Sequence, residues 1–394
     1  MDQKRHIIIA GGGASGLIAA VMAAERGCSF TVLEHNDRTG RKICVTGNGR
    51  CNLTNRDQCE NAYHGNHPEF ARKVLRQFSF EDTLHFFENI GIAVTDRKGW
   101  LYPRSGQARS VAELLEGKAR SLKVKIKTNE HVNDVFKKGG IWNVRTEGWT
   151  YQGDAVILAN GSKASSVPGA DGSGYRIAAK LGHEIIPPLP ALVSLKCKGK
   201  NFSGWAGVRT EARISLLIDG KLIRTETGEI QLTEYGVSGI PVFQISRFAV
   251  RAVHEGHKTE ILIDFFPEST PAETEKLLRR RKEACPYKSH GELLIGLFPD
   301  RLCKILCRQP DLIQAIHGFR LEITGDAGFS QAQVCSGGVG TEKIDPSTME
   351  SKIHRGLFFA GELLDIDGAC GGYNLQWAWS SGAVAGIHSA KGHI

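Results

Sequence analysis

An apolar run followed at once by a glycine-rich turn lies near the start of the chain and restricts the folds open to it. Residues 6–10 read His-Ile-Ile-Ile-Ala, and Gly11, Gly13 and Gly16 follow in a GxGxxG spacing before an Ala-rich segment. This order predicts a strand, a tight turn and a helix. Gly11 permits the turn, Gly13 lets the backbone approach a pyrophosphate, and Gly16 lets the helix lie close to the sheet. The sequence therefore predicts a dinucleotide site whose phosphates meet a helix N-terminus.

The next apolar segment ends in a carboxylate. Residues 30–33 read Phe-Thr-Val-Leu, and Glu34 follows directly. A carboxylate about 20 residues beyond the glycine turn is where a dinucleotide ribose requires a hydrogen-bond acceptor. Glycines that serve only a strand-to-helix turn are the alternative interpretation, and Glu34 favours the dinucleotide.

A second candidate cofactor segment lies near the end of the sequence. Residues 356–362 (GLFFAGE) predict a short buried strand that delivers Glu362 to the ligand-binding edge of an open α/β sheet, the position of a ribityl-binding acid in flavoproteins. Gly371 and Gly372 precede a predicted helix, whose N-terminus would stabilise the negative charge of a reduced flavin. This segment favours FAD over NAD, with a glycine-rich turn before a surface helix as the alternative.

A polar, glycine-rich stretch at residues 39–55 follows the predicted ribose site. Its turn-forming composition is too polar for a core strand. Its position predicts that Arg41 and Lys42 balance the pyrophosphate charge and that Arg50, Cys51 and Asn52 reach the pyrimidine edge of a flavin.

Four sequence motifs together resemble one bacterial family. They are GRKICVTGNGRCNLTN at 40–55, GEIQLTEYGVSG at 228–239, TMESK at 348–352 and GLFFAGELLDIDGACGGYNLQWAWSSGAVAG at 356–386. They are similar to the FAD-dependent, NAD(FAD)-utilising dehydrogenases that include aminoacetone oxidase and the bile-acid 3-oxo-Δ4-steroid reductases. The resemblance runs over essentially the whole chain. It implies non-covalent FAD and an α/β fold: a glutathione-reductase-like, FAD-binding Rossmann domain with an inserted β-barrel and a small helical lobe.

The coarse layout of the sequence agrees with that architecture. The chain has 394 residues, more than one hydrophobic core usually serves. Helical patterns at 68–90 and 109–122 lead to strands near 124–128, 131–136, 141–146 and 155–160, and antiparallel strand patterns begin after prolines 187, 188 and 190. The predicted domains are a discontinuous FAD-binding domain (1–188 and 336–394), an inserted β-rich domain (189–266 and 319–335) and a helical subdomain (267–318).

The motif positions and the resemblance together predict a large set of cofactor-binding residues. The set is Gly11, Gly13, Ala14, Ser15, Gly16, Glu34, His35, Arg41, Lys42, Thr46, Gly47, Gly49, Arg50, Cys51, Asn52, Val132, Ala159, Asn160, Gly161, Gly361, Glu362, Gly371, Gly372, Tyr373, Asn374 and Leu375. Two positions depart from the family pattern. Residues 159–162 read Ala-Asn-Gly-Ser where Ala-Thr-Gly-Gly is usual, and residues 233–234 read Thr-Glu where Thr-His is common.

The predicted function is hydride transfer between flavin N5 and a small organic substrate. The favoured reaction is NAD(P)H-linked reduction of an enone such as a 3-oxo-Δ4 bile acid or steroid. The alternatives are an amine oxidase that uses oxygen, a flavin-dependent tRNA-modifying enzyme and a non-catalytic flavin-binding protein. The flavin carries the hydride chemistry, so the protein must supply position and a proton. Candidate proton donors are Tyr373, Cys51, Tyr235 and Tyr102.

The electron donor leaves no second signature in the sequence. No second strand-GxGxxG-helix pattern is found. Gly169, Gly172 and Gly174 precede a predicted helix but follow Val-Pro rather than a strand, so they predict a turn and a helix cap. Any NAD(P)H would therefore bind transiently.

Charge and cysteine content restrict the environment and partners. The formal charge of +8 is spread along the chain, apart from residues 279–282, so no nucleic-acid or membrane partner is expected. No apolar signal or membrane-spanning stretch is found, which predicts a cytoplasmic protein. Ten irregularly spaced cysteines do not resemble a disulfide framework. A redox pair of Cys44 with Cys51 is an alternative, whereas Cys303 and Cys307 lack further metal ligands, and no metal site is predicted.

Overall fold

The structure is a computed structural model that describes residues 5–199, 202–289 and 291–391. The chain forms two structural units, one made of Met1–Pro188 with Gln333–Ile394 and the other of Leu189–Ala332. Residues 1–4, where the sequence predicts the absence of a signal segment, lie outside the described residues. Within the described ranges, no helix has both the length and the apolar character needed to cross a membrane.

The strands and helices follow one another in both units. The strands are β1 (His6–Ala10), β2 (Ser29–Leu33), β3 (Thr54–Asn55), β4 (Tyr63–His64), β5 (Val94–Arg97), β6 (Trp100–Pro103), β7 (Lys125–Lys127), β8 (Asp134–Lys138), β9 (Ile141–Arg145), β10 (Thr150–Gly153), β11 (Ala155–Leu158), β12 (Ile185–Ala191), β13 (Leu195–Cys197), β14 (Arg209–Ile218), β15 (Lys221–Leu232), β16 (Gly236–Gly239), β17 (Thr259–Asp264), β18 (Phe319–Asp326), β19 (Val334–Val339), β20 (Leu357–Phe359) and β21 (Asp367–Gly368). The α-helices are α1 (Ala14–Ala24), α2 (Arg41–Val45), α3 (Pro68–Leu75), α4 (Phe80–Asn89), α5 (Ala108–Ser121), α6 (Ser173–Lys180), α7 (Ile240–His254), α8 (Pro271–Ala284), α9 (Asp300–Leu306), α10 (Leu312–His317) and α11 (Tyr373–Ala390).

The first unit is built on a parallel sheet with the strand order β20-β11-β1-β2-β7. Its central strand β1 is a continuous apolar run, as expected for a parallel strand that is covered on both faces. Helices α1 and α11 pack against each other at two glycines. A Cβ on Gly382 would lie 2.4 Å from the Ser15 carbonyl oxygen, and one on Gly386 would lie 2.4 Å from that of Ala19. The small residues of α11 thus let the first and last helices of the unit approach closely.

The second unit contains a closed antiparallel barrel with the strand order β13-β16-β15-β14-β17-β18. Strand β14 shows the alternation that such a barrel requires, because Ala212, Ile214 and Leu216 are buried while Arg213 and the other intervening residues are more exposed. Helices α8, α9 and α10 lie in the same unit, and α8 begins with a capping box formed by Thr270 and Glu273. The predicted fold class, a Rossmann-type FAD-binding domain with an inserted barrel and a helical lobe, is confirmed.

The helical pattern predicted over residues 68–90 forms two helices, α3 and α4. Ser79 ends the connection between them, because its hydroxyl accepts a hydrogen bond from the Asp82 N–H while the Asp82 carboxylate accepts one from the Ser79 N–H. This capping box starts a new helix inside a run whose apolar period is nearly continuous. The apolar pattern therefore predicts the helical region, and the capping box at Ser79 sets where the second helix begins.

A buried histidine makes the stability of the first unit depend on pH. His183 contacts the Ser351 hydroxyl through Nε2 at 2.9 Å, and its Nδ1 has no partner among the described residues. Burial, with the positive charges of His354 and Lys343, lowers the pKa of His183 from 6.5 to about 4. The unfolded chain therefore binds more protons than the folded one between these pKa values, and stability is lost as the pH falls through this window.

We expect the free energy of unfolding to fall by about 2 kcal/mol between pH 7 and pH 5 through His183 alone. The check is the denaturant midpoint as a function of pH for the unmodified protein and for His183→Gln, which removes the titrating group. The exposed His85 supplies the control variant His85→Gln. An equally steep pH dependence in His183→Gln would contradict the assignment.

Candidate functional site: a dinucleotide cavity

The glycine turn after β1 is tightly fitted at two positions and open at the third. Gly11 has a φ of +109°, and a Cβ there would lie 2.3 Å from the Ala159 carbonyl oxygen. A Cβ on Gly16 would lie 1.9 Å from the Gly11 carbonyl oxygen. Around a Cβ on Gly13, in contrast, the structure has no atom within 4 Å. Helix α1 begins at Ala14 without a side-chain cap, so its first-turn N–H groups are left for a ligand.

The carboxylate of Glu34 is fixed by the backbone around it. Its Oε2 accepts a hydrogen bond from the Gly12 N–H at 2.9 Å, and its Oε1 accepts from the backbone N–H and side-chain amide of Asn36, each at 2.8 Å. Glu34 is 7% exposed and lies in the wall of the cavity. A carboxylate oriented in this way retains lone pairs for the hydroxyls of a ribose.

These elements surround a cavity of about 1020 Å³, measured to its open mouth. The predicted residues that line it are Gly11, Gly13, Ala14, Ser15, Glu34, His35, Arg41, Lys42, Thr46, Val132, Ala159, Asn160, Gly161, Glu362 and Leu375. The predicted residues outside the lining are Gly16, Gly47, Gly49, Arg50, Cys51, Asn52, Gly361, Gly371, Gly372, Tyr373 and Asn374.

Lys42 is paired with a carboxylate in the wall of the cavity. Its Nζ contacts Glu362 Oε2 at 2.5 Å, and the Ser162 hydroxyl donates to the same oxygen at 2.9 Å. Ser162 is one of the residues that depart from the family pattern. Burial raises the pKa of the nearby Cys335 thiol, against the opposing effects of the Lys42 charge and a hydrogen bond with Ser162. The wall of the cavity thus contains an ion pair of Lys42 with Glu362, and the balancing of a pyrophosphate charge by Lys42 stays a prediction.

Polar residues within the segment 51–55 form hydrogen bonds with the start of α11 and with the turn before it. The Asn55 amide donates to the Gly371 carbonyl at 2.8 Å, and Thr54 donates to the Gln376 side chain at 2.6 Å. With its amide assigned from its partners, Asn52 accepts from the Gly372 N–H at 3.2 Å. The structure therefore shows that this motif supports the turn at Gly371 and Gly372. The predicted contact of Arg50, Cys51 and Asn52 with the flavin stays a prediction.

Cys51, predicted as a cofactor ligand and a candidate proton donor, does not reach the cavity surface. Its side chain has no exposed area, and burial raises the pKa of its thiol to about 12. All ten cysteines are free thiols, so the alternative of a Cys44–Cys51 disulfide is not seen. Cys303 and Cys307 are likewise free, and Cys303 donates to the Phe298 carbonyl.

The candidate tyrosines occupy different environments. Tyr373 is 6% exposed at the start of α11, with its ring edge-on to Tyr63 at 5.8 Å, and burial raises its pKa to about 12. Tyr235 lies in the second unit between β15 and β16, where its carbonyl accepts from the Cys197 N–H. Tyr102 is half-buried on β6 in the first unit. Tyr373 and Tyr102 thus belong to the first unit, and Tyr235 belongs to the second.

The cavity wall includes a segment that sequence reasoning missed. Residues 167–170 and Ser173 line it next to His35 and His131. The ligand atoms of His35, His131 and Asp171 lie within 4.8 Å of one another, and His131 Nε2 is 2.9 Å from an Asp171 oxygen. Burial raises the pKa of Asp171, but hydrogen bonds from Ser173 and the charge of His131 lower it by more. The clue in the sequence was the glycine pattern at 169–174, whose place beside the cavity only the fold determines.

The cavity passes a direct test for a dinucleotide. A Cβ on Gly13 or Gly161 would enter open space inside the lining, so both glycines leave room that the protein itself does not fill. The Asn160 side-chain oxygen is buried at the lining without a partner among the described residues. Arg41 adds a positive charge on the same wall. A dinucleotide requires open space, a carboxylate, a free helix N-terminus and a positive charge, and the cavity supplies all of these.

The fold and the cavity together define a Rossmann-type domain of the FAD-binding class, combined in one chain with an antiparallel barrel. The model of the HI0933-like protein Rossmann domain matches residues 5–388. The chain therefore belongs to the HI0933-like family, and the predicted family resemblance is confirmed.

Two relatives and one solved structure place the chain more closely. It is 44% identical over 405 residues to a 3-dehydro-bile acid delta(4,6)-reductase of Clostridium scindens, with 98% of this chain and 99% of the relative covered. It is 29% identical to a ribosomal RNA dihydrouridine synthase of Haemophilus influenzae, with 99% and 100% covered. The 3-ketosteroid-delta4-(5alpha)-dehydrogenase structure from Rhodococcus jostii RHA1 matches with a TM-score of 0.52 at 15% identity, covering 99% of this chain and 98% of that one, and this likeness bears on the fold alone.

Proposed function

We propose that this protein binds FAD and reduces a carbon–carbon double bond conjugated to a carbonyl, as in a 3-oxo-Δ4 bile acid or steroid, with electrons from NAD(P)H. The observation that carries the proposal is a cavity fitted to a dinucleotide in a chain 44% identical to a bile-acid reductase over 98% of its length. The oxidoreductase class itself is confirmed by that relative.

The residues around the cavity divide the work of holding FAD. Glu34 is placed to accept hydrogen bonds from the ribose, and the open Gly13 with the first turn of α1 is placed to receive the pyrophosphate. Glu362, held by Lys42 and Ser162 in the cavity wall, would accept a hydrogen bond from a ribityl hydroxyl. FAD, when bound, supplies the hydride chemistry. The protein contributes the groups that would bind and orient it.

The choice of an enone rests on the chemistry shared by the two named activities. Reduction of a 3-oxo-Δ4 steroid and conversion of uridine to dihydrouridine both add hydrogen across a double bond conjugated to a carbonyl. The protein must then stabilise negative charge on the carbonyl oxygen and deliver a proton to the α carbon. The higher identity to the bile-acid reductase favours the steroid class.

A second candidate, reduction of uridine in RNA, is supported by the dihydrouridine synthase relative, which this chain matches over 99% of its length. The formal charge of +8 is compatible with an RNA substrate. This candidate takes the place of the tRNA-modifying alternative that the sequence left open.

The decisive experiment starts from the purified yellow protein under anaerobic conditions. NADH or NADPH should bleach the flavin, and a 3-oxo-Δ4 bile acid should restore the oxidised spectrum with one equivalent of reduced product. Return of colour with a uridine-containing ribosomal RNA fragment, but not with the enone, would replace the proposal with the RNA candidate. Bleaching of the flavin by an amine, which is oxidised to an imine, followed by return of colour when oxygen is reduced to hydrogen peroxide, would identify an amine oxidase. Failure of every oxidant would point to a passive flavin binder.

A further inference from the structure

Two arginines without carboxylate partners lie beside one tyrosine in the first unit. The Arg97 guanidinium carbon is 5.4 Å from the centre of the Tyr102 ring, across the β5–β6 hairpin. Within the part of the chain that the structure describes, neither Arg97 nor Arg50 forms an ion pair with a carboxylate. The neighbouring Arg56, in contrast, is held by Asp96 at 2.7 Å. These two positive charges are therefore not neutralised by the protein.

The group lies next to one end of the dinucleotide cavity. Thr46 lines the cavity, and Gly47 follows it directly. A Cβ on Gly47 would lie 3.6 Å from Tyr102 Cε1, so the loop passes close to the phenol ring. Gly47, Asn48 and Gly49 all have positive φ and are exposed. The loop between the cavity and the tyrosine thus offers backbone and little side chain, and it separates Thr46 at the cavity from the phenol ring by a single short segment.

Both charges act on the phenol. Burial raises the pKa of Tyr102, and the nearby positive charges of Arg97 and Arg50 oppose that rise. The half-buried phenol and the Arg97 guanidinium against its ring present N–H and O–H donors, and the adjacent Asp96 is already paired with Arg56. Guanidinium groups match the planar shape of a carboxylate and can bind it through two hydrogen bonds.

We propose that Arg50, Arg97 and Tyr102 form an anion subsite that binds the carboxylate of the enone substrate. The inference rests on the proposed function and deepens it, since it selects acid-bearing steroids over neutral ones. A carboxylate is favoured over an RNA phosphate because the bile-acid reductase is the more similar relative. The subsite contributes to substrate affinity and orientation, so its loss should raise KM more than it lowers kcat.

The test compares one 3-oxo-Δ4 bile acid with its methyl ester, which differs only in the charge. For Arg97→Gln we expect KM for the acid to rise about tenfold or more, the size expected for losing one charge-assisted hydrogen-bonded contact, while KM for the ester stays within about twofold. Arg50→Gln and Tyr102→Phe should move in the same direction. The matched control is Arg56→Gln, because Arg56 is an exposed arginine whose charge is already paired with Asp96.

Binding of acid and ester to the oxidised holoprotein, measured by calorimetry at two salt concentrations, gives a readout independent of turnover. The subsite is supported if the acid binds more tightly than the ester, if this binding weakens with salt, and if Arg97→Gln abolishes the difference. This holds even when the protein reduces neither compound, and absence of reduction would count against the proposed function alone. Equal effects of Arg97→Gln on acid and ester would overturn the subsite. If Arg97→Gln instead loses binding to an RNA oligonucleotide while its binding of acid and ester is unchanged, the carboxylate subsite is overturned in favour of a phosphate site.

Discussion

Replacing Gly13 by Val should yield folded protein that has lost its FAD. The Gly13 backbone, with φ of −81° and ψ of −164°, is a conformation that any residue adopts, and a Cβ there meets no protein atom within 4 Å. The valine side chain would instead occupy the space where the pyrophosphate must approach the N-terminus of α1. A steric cost of about 3 kcal/mol weakens FAD binding about a hundredfold or more. The measurement is flavin content after purification together with the FAD dissociation constant.

Gly11→Ala is the matched comparison, because it should weaken the fold itself rather than block the space for the cofactor. Its Cβ would clash with the Ala159 carbonyl at 2.3 Å, and its φ of +109° is unfavourable for alanine. Gly11→Ala should therefore lower the denaturant midpoint of the FAD-free protein, whereas Gly13→Val should leave that midpoint almost unchanged. Yellow Gly13→Val protein with unaltered affinity would show that the pyrophosphate lies elsewhere.

The parts of the site that the sequence predicted are those built from neighbouring residues. Gly11, Gly13 and Glu34 belong to one strand–turn–helix–strand unit, and their spacing carries the geometry. Glu362 was predicted on the same basis, since a short apolar run that ends in an acid at a sheet edge is a local signal. In each case, local backbone conformation and apolar pattern were sufficient to place the side chain.

Other parts depend on contacts between residues far apart in the chain. The pairing of Lys42 with Glu362 and the hydrogen bond from Thr54 to Gln376 each join segments more than 300 residues apart. The sequence marks the motif around Thr54 as distinctive but does not show whether it contacts a ligand or another helix. The structure shows that Asn52, Thr54 and Asn55 bond to α11 and to the turn before it, and the contact with a flavin stays a prediction. A polar motif near a cofactor can therefore serve as scaffold.

The wall formed by residues 167–173 was missed for a related reason. Its glycines were interpreted as a turn and a helix cap, and Gly172 is indeed the N-cap of α6. Nothing in the local pattern shows that the preceding loop returns to His35 and His131 on the cavity. That proximity follows from the parallel sheet, whose strand ends gather the connecting loops at one edge.

Gly372→Ala should be among the most destabilising single substitutions in the first unit. Gly372 is the N-cap of α11 with a φ of +98°, and a Cβ would lie 2.6 Å from the carbonyl carbon and oxygen of Thr54. Neither the Thr54 backbone nor the helix can yield easily, because Thr54 also bonds to Gln376 inside that helix. Left-handed strain and overpacking together should cost about 3 kcal/mol or more.

Gly117→Ala is the control for this substitution, since Gly117 lies exposed inside α5 and a Cβ there would meet nothing within 4 Å. It should raise stability by up to about 1 kcal/mol through helix propensity. Denaturant midpoints measured with and without FAD separate the two effects of Gly372→Ala. If the scaffold inference is correct, both midpoints fall and FAD affinity falls with them, because α11 also presents Leu375 and Ala378 to the cavity. A normal midpoint with lost FAD would instead mean that the turn itself touches the cofactor, as the sequence alone had predicted.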